Sequence, residues 1–87
     1  MNFGEALELI KIGKKVSRSG WNGKKMWISY NPGSIITVSE GRPLAASLPV
    51  GTVVKFKPYI IMMAADGEMV PWLASQSDIL CEDWSEV

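Results

Sequence analysis

The stretch YIIMMAADGEMVPW, from Tyr59 to Trp72, decides the fold class. Two strand-like runs, Tyr59 to Ala64 and Glu68 to Trp72, flank an Asp66-Gly67 pair. A connection that short joins neighbouring strands only as an antiparallel hairpin. Asp-Gly favours a tight primed turn, because both central residues must accept positive φ. The run YIIMM is apolar on both faces, which predicts a central, buried strand. Pro71 has no N–H to give to a ladder, so the return strand ends at an edge or a bulge.

Upstream, Asn2 to Gly13 has the pattern of a helix. Asn2 and Glu5 stand at the N-cap and N3 positions of a capping box, and Phe3, Ala6, Leu7, Leu9 and Ile10 form one apolar stripe. Gly13 suits a left-handed C-terminal position, with Lys11, Lys14 and Lys15 at the negative end of the dipole. With only one apolar face, this helix packs on a sheet. Short strands are expected at Lys15 to Arg18, Met26 to Tyr30, Ser34 to Val38 and Thr52 to Phe56, the first pair joined by a turn over Gly20 to Lys25. Met26, Ile28 and Tyr30 share one face of their strand, and Trp27 and Ser29 the other.

EGRPLAASLPVGT, Glu40 to Thr52, is expected to be a long surface loop with a helical turn near Leu44 to Ser47. Ser75 and Asp78 form a second capping box, opening a short helix that ends near Leu80 or Cys81. Asp83 to Val87 closes the chain as a strand or arm. The fold class is therefore α+β: a small, mainly antiparallel β-sheet packed by an N-terminal helix, with a short second helix near the C-terminus. Residues 1–87 make one domain.

Composition excludes several chemistries. The apolar fraction is 47% and the formal net charge is zero, which is a globular balance. There is no histidine, which removes the commonest general base and most zinc sites. One cysteine, Cys81, forms neither an internal disulfide nor a Cys-cluster metal site. No P-loop or dinucleotide fingerprint occurs. Paired carboxylates such as Glu82-Asp83 are adjacent near a terminus, with nothing to set them across a cleft. The expectation is a protein that is not an enzyme and has no metal or cofactor. No apolar run is long enough to cross a bilayer, and the early acids are unlike a secretory signal, so the chain is expected in the cytoplasm. The charges are segregated: all 9 Lys and Arg lie at or before Lys57, and from Tyr59 onward only acids follow. The two parts carry +6 and −6, so they attract each other within the fold or between copies.

Binding chemistry is better represented. Trp21, Trp27, Tyr30, Trp72 and Trp84 are many large aromatics for so short a chain, and each can be simple core. Trp84 suits a core anchor. Trp21 and Trp72 suit it least, since both sit where the chain turns among polar residues. Beside them stand Arg18 and Asn22, and then Ser75 and Gln76 at a helix start. An indole stacks on a base, an arginine pairs with phosphate, and amides reach a base edge or ribose hydroxyls. These are parts of a nucleotide pocket without catalytic machinery. A polynucleotide is the less favoured partner, because the acidic second part would repel its backbone.

MNFGEALELIKIGKKVSRSGWNGKKMWI, residues 1–28, together with PYIIMMAADGEMVPWLASQSDILCEDW, residues 58–84, closely resembles a family of small phage and prophage proteins, the second type of anti-Thoeris protein. The resemblance runs from Met1 to about Tyr30 and from Pro58 to Trp84, and the segment 31–57 lies outside it. It implies a signal-sequestering sponge. In Thoeris immunity a TIR-domain protein makes a cyclic ADP-ribose isomer that activates an effector, and the sponge binds this glycocyclic ADP-ribose without degrading it. The resemblance further implies a homo-oligomer, a tetramer, with pockets between protomers, and binding of cyclic dinucleotides in some members. Arg18, Trp21 and Asn22 match its first motif, and Trp72, Ser75, Gln76 and Asp78 its second. Trp21 and Trp72 are then expected to stack on the ligand, Arg18 to hold its pyrophosphate, and Asn22 and Gln76 to meet ribose or base. Asp78 is expected to cap the helix with Ser75, and Asp83-Trp84 to be structural.

Overall fold

A computed structural model describes residues 1–21 and 25–87. Helix α1, Phe3–Lys11, starts at the foreseen capping box: the Asn2 side chain accepts from the Glu5 N–H, and the Glu5 carboxylate accepts from the Asn2 N–H. It stops at Gly13, whose φ of +91° lets its N–H reach the Ile10 carbonyl while the Lys14 N–H reaches that of Leu9. Ala6 and Ile10 are its buried residues.

Strands β1 (Val16–Arg18), β2 (Trp27–Asn31), β3 (Ser34–Thr37), β4 (Val53–Phe56), β5 (Tyr59–Met63), β6 (Met69–Pro71) and β7 (Trp84–Glu86) follow in order, with helix α2 (Gln76–Leu80) before β7. Five of them form an antiparallel sheet in the order β6-β5-β2-β1-β7. Helix α1 lies on one face, and the core there is Ala6, Ile10, Val16, Ile28 and Trp84, flanked by Ile60, Met62, Phe3 and Leu9. Pro71 is on edge strand β6, as its missing donor requires.

Three features differ from expectation. The Ala64-to-Glu68 connection is a three-residue loop and not a primed two-residue turn. Gly67 alone takes positive φ (+85°), its N–H bonding the Ala64 carbonyl, while Asp66 accepts from the Glu68 N–H. Ala65 at the first turn position favours the right-handed region, and the glycine then absorbs the bulge. Strand β5 is central but only half-buried, because helix α1 covers one sheet face and the other is open. Alternation places Trp27, Ile61, Met63, Met69 and Pro71 on that open face, since Trp27 pairs with Met63 and Ile61 with Pro71.

Strands β3 and β4 do not join the main sheet. They form their own two-stranded ribbon between β2 and β5, with Ser34 opposite Phe56 and Thr37 opposite Val53. The loop beyond them holds a 3-10 turn at Pro43–Ala46 and folds around Val38, which is buried. Gly33 makes the junction possible: at φ +81°, a Cβ there would stand 2.1 Å from the Phe56 carbonyl oxygen.

Candidate functional site

Strand β1 ends at Arg18 and runs directly into a 3-10 turn, Ser19–Trp21. Asp83, just before β7, holds that turn. Its backbone carbonyl accepts from the Ser19 N–H (3.2 Å), and Oδ2 accepts from the Gly20 N–H (3.0 Å) and the Ser19 hydroxyl (3.2 Å). Gly20 fits because a Cβ would lie 3.2 Å from Asp83 Oδ2 and 3.3 Å from the Arg18 guanidinium.

Arg18 is committed to the same network. Nε donates to Asp83 Oδ1 at 3.0 Å, Nη1 to Asp78 Oδ1 at 2.7 Å, and Nη2 to Cys81 Sγ at 2.8 Å. The bonds to Asp83 and then Asp78 hold the guanidinium firmly protonated, against the opposing effect of burial. Burial pushes the Asp78 carboxyl up, but bonds from the Ser75 N–H, Arg18 and the Ser75 hydroxyl overcome it and leave it below the usual range. Arg18 first, with Gly20 and Ser19, lowers Asp83. Asp78 is also the N3 residue of the foreseen capping box, so one carboxylate starts helix α2 and anchors β1.

Trp84 is the hub beneath the turn. Its Nε1 donates to the Asp78 carbonyl at 2.9 Å, and it is 2% exposed. Trp21 meets it edge-on, with ring centroids 5.3 Å apart and planes at 83°. Trp21 is half-buried: part of its indole rests on the core, and part lines a pocket of about 380 Å³ with Ser17, Arg18, Lys25, Met26, Trp27 and Val87. Among the described residues no Asp or Glu side chain lines this pocket. The Lys15 ammonium lies 5.0 Å from the centroid of the Trp27 ring. A paired set of indoles with cations and without acidic side chains suits an anionic aromatic ligand.

The foreseen site residues thus divide. Arg18 and Trp21 line one pocket. Trp72 lies elsewhere, half-buried against Phe3 (5.9 Å) and Trp84 (6.1 Å). The Ser75 hydroxyl is occupied by the cap, and Gln76 is exposed at the first position of α2. Asn22 lies outside the described residues. Trp27 was singled out only as an aromatic and Lys25 not as a pocket residue, although KKMW follows Trp21 closely in the sequence. A second pocket, of about 610 Å³, lies on the ribbon among Ile36, Val38, Arg42, Leu44 and Phe56. Among the described residues no helix is long and apolar enough to cross a membrane, and no three potential ligands converge on a metal position.

Comparison with known proteins completes the picture. Residues 1–87 match the profile of the Thoeris anti-defense 2-like domain. A protein named Thoeris anti-defense 2, from Bacillus phage SP01, is 38% identical over 89 residues, an overlap of 100% of this chain and 94% of the phage protein. Both matches run through the segment 31–57 that lies outside the two sequence motifs.

Proposed function

The chain belongs to the Thoeris anti-defense 2-like family, and from that premise we propose that it blocks Thoeris immunity by sequestering the system's nucleotide signal. The signal in this reading is glycocyclic ADP-ribose, held intact and kept from its effector in the cytoplasm of an infected bacterium. The observation that carries the reading is the pocket between Trp21 and Trp27, rimmed by cations and free of acidic side chains. Stacking of adenine on an indole accounts for the aromatic pair, and the pyrophosphate accounts for the charge. A chain without histidine lacks the usual proton-transfer group, and sequestration needs none.

A sponge of this kind works as an assembly, here a homotetramer with residues 1–87 as its repeating domain. Two surfaces support that reading. Among the described residues no layer covers the sheet face bearing Trp27, Ile61, Met63 and Met69, and the ribbon exposes Ile35, Val53 and Phe56. Assembly on the open sheet face, which carries Trp27 of the pocket wall, would put a neighbouring copy beside the ligand. Trp72, which packs against Phe3 on the helix-covered side, with Ser75, Gln76 and Asn22, completes the proposed ligand-binding set.

Thermal stabilisation tests the reading. A ligand that binds only the native state raises its stability in proportion to the logarithm of its concentration over Kd. Glycocyclic ADP-ribose is expected to raise Tm by several degrees, while oligonucleotides leave it unchanged. Cyclic dinucleotides form a separate arm of the same experiment. A shift with oligonucleotides but not with any cyclic nucleotide would reject the proposal.

A further inference from the structure

The family-level reading needs a cation for the ligand's phosphates, and Arg18 is poorly placed to supply it. All three of its guanidinium nitrogens already donate, two of them to carboxylates. Two negative charges face one positive charge in that cluster, so it offers an anion no attraction. Nη1 and Nη2 each keep a second N–H, but a phosphate meeting them would stand beside the carboxylates of Asp78, which also caps α2, and Asp83, which also holds the Trp21 turn.

Lys25 has neither restriction. It lines the pocket, its side chain is exposed, and it has no ion pair among the described residues. It is also the one non-glycine residue with positive φ among the described residues, at +57°. That backbone region disfavours a side chain with a Cβ, and residues held there are concentrated at ligand-binding positions. Lys15 is the second cation. Its ammonium rests on Trp27, which forms part of the same pocket, and it has no carboxylate partner either among the described residues.

We infer that Lys25, assisted by Lys15, grips the phosphate groups of the bound nucleotide, and that Arg18 is a positioning residue that holds the Trp21 turn. This rests on the proposed function and deepens it: the pocket selects for a pyrophosphate-linked ligand over an uncharged nucleoside. The order of the pocket is then base between indoles and phosphates toward the lysines.

Calorimetric titration of the full chain separates the possibilities. With glycocyclic ADP-ribose as the probe, Lys25→Gln is expected to weaken binding at least about tenfold, as loss of a charge-assisted contact does. Lys15→Gln weakens it less, Lys25→Arg restores most of the affinity, and the wild-type salt dependence flattens in Lys25→Gln. Inorganic pyrophosphate provides a second probe, expected to quench wild-type tryptophan fluorescence and not that of the double Lys15→Gln, Lys25→Gln variant. Arg18→Lys lowers Tm but keeps the Lys25-dependent salt slope below its melting range. Unchanged binding in both lysine variants, with binding lost in folded Arg18→Lys, would overturn the inference and leave the proposed function standing. Pyrophosphate binding that depends on Lys25, without binding of the cyclic nucleotide, would reject the proposed function and leave the lysine assignment standing. Absence of both would reject the two together.

Discussion

Asp83 accepts from Arg18, Ser19 and Gly20 at once, so the turn carrying Trp21 is held from the far end of the chain. Asp83→Asn keeps the shape and removes the charge, and is expected to lower both Tm and ligand affinity. The pH dependence has a definite sign. Both Asp78 and Asp83 titrate below the ordinary carboxylate range in the fold, so the unfolded chain binds protons first as pH falls. Their contribution is full above the ordinary carboxylate value and is lost as pH drops through the lowered values. Urea unfolding from about pH 5 to about pH 2 is expected to show a steeper loss in the wild type than in Asp83→Asn. The Trp21→Ala variant should stay folded and lose ligand, because only part of that indole rests on Trp84. Trp84→Ala should cost about 3–5 kcal/mol, as truncation of a buried tryptophan does. The sequence motifs marked these residues but not their division of labour. That Arg18 would be spent on two carboxylates more than 50 positions away depends on strand order, which no local pattern encodes.

At the scale of elements, what was legible is what is local. Both capping boxes and the Gly13 stop are decided within a few residues, and they stand where the residue types put them. The edge position of Pro71 follows from a missing donor. The partners of β3 and β4 were not legible, because any of several short β-branched runs could pair with any other. The ribbon separates from the sheet at Gly33, where the chain passes against the Phe56 carbonyl. Gly33→Ala is therefore expected to disrupt the ribbon and spare α1. Amide exchange should become fast at Ile36 and Val54, which face each other in the ribbon, while Ile10 stays protected. Ser75→Ala removes one cap of α2 and should cost about 1 kcal/mol in chemical unfolding, more if the Arg18–Asp78 pair loosens with it.

The whole molecule is larger on the outside than its mass requires. Its accessible surface is 6111 Å², whereas a compact monomer of this mass exposes about 5,100 Å². Its radius of gyration is 16.0 Å, against about 12 Å for a compact chain of this length. The excess comes with exposed apolar groups on the ribbon, including Ile35 at 70% and Val53 at 67%, and with the open sheet face. An isolated two-stranded ribbon is only marginally stable in water, so burial against another copy is the expected remedy. Sedimentation should give a multiple of the 9.6 kDa chain mass, and Phe56→Glu should shift the population toward smaller species. Capture without turnover has one direct test. The protein is loaded with glycocyclic ADP-ribose, freed of unbound ligand, heated to denaturation, and the released small molecules are identified by mass spectrometry. Capture predicts recovery of the intact cyclic nucleotide in proportion to the protein, and a cleaved product, or no nucleotide retained at all, would contradict it.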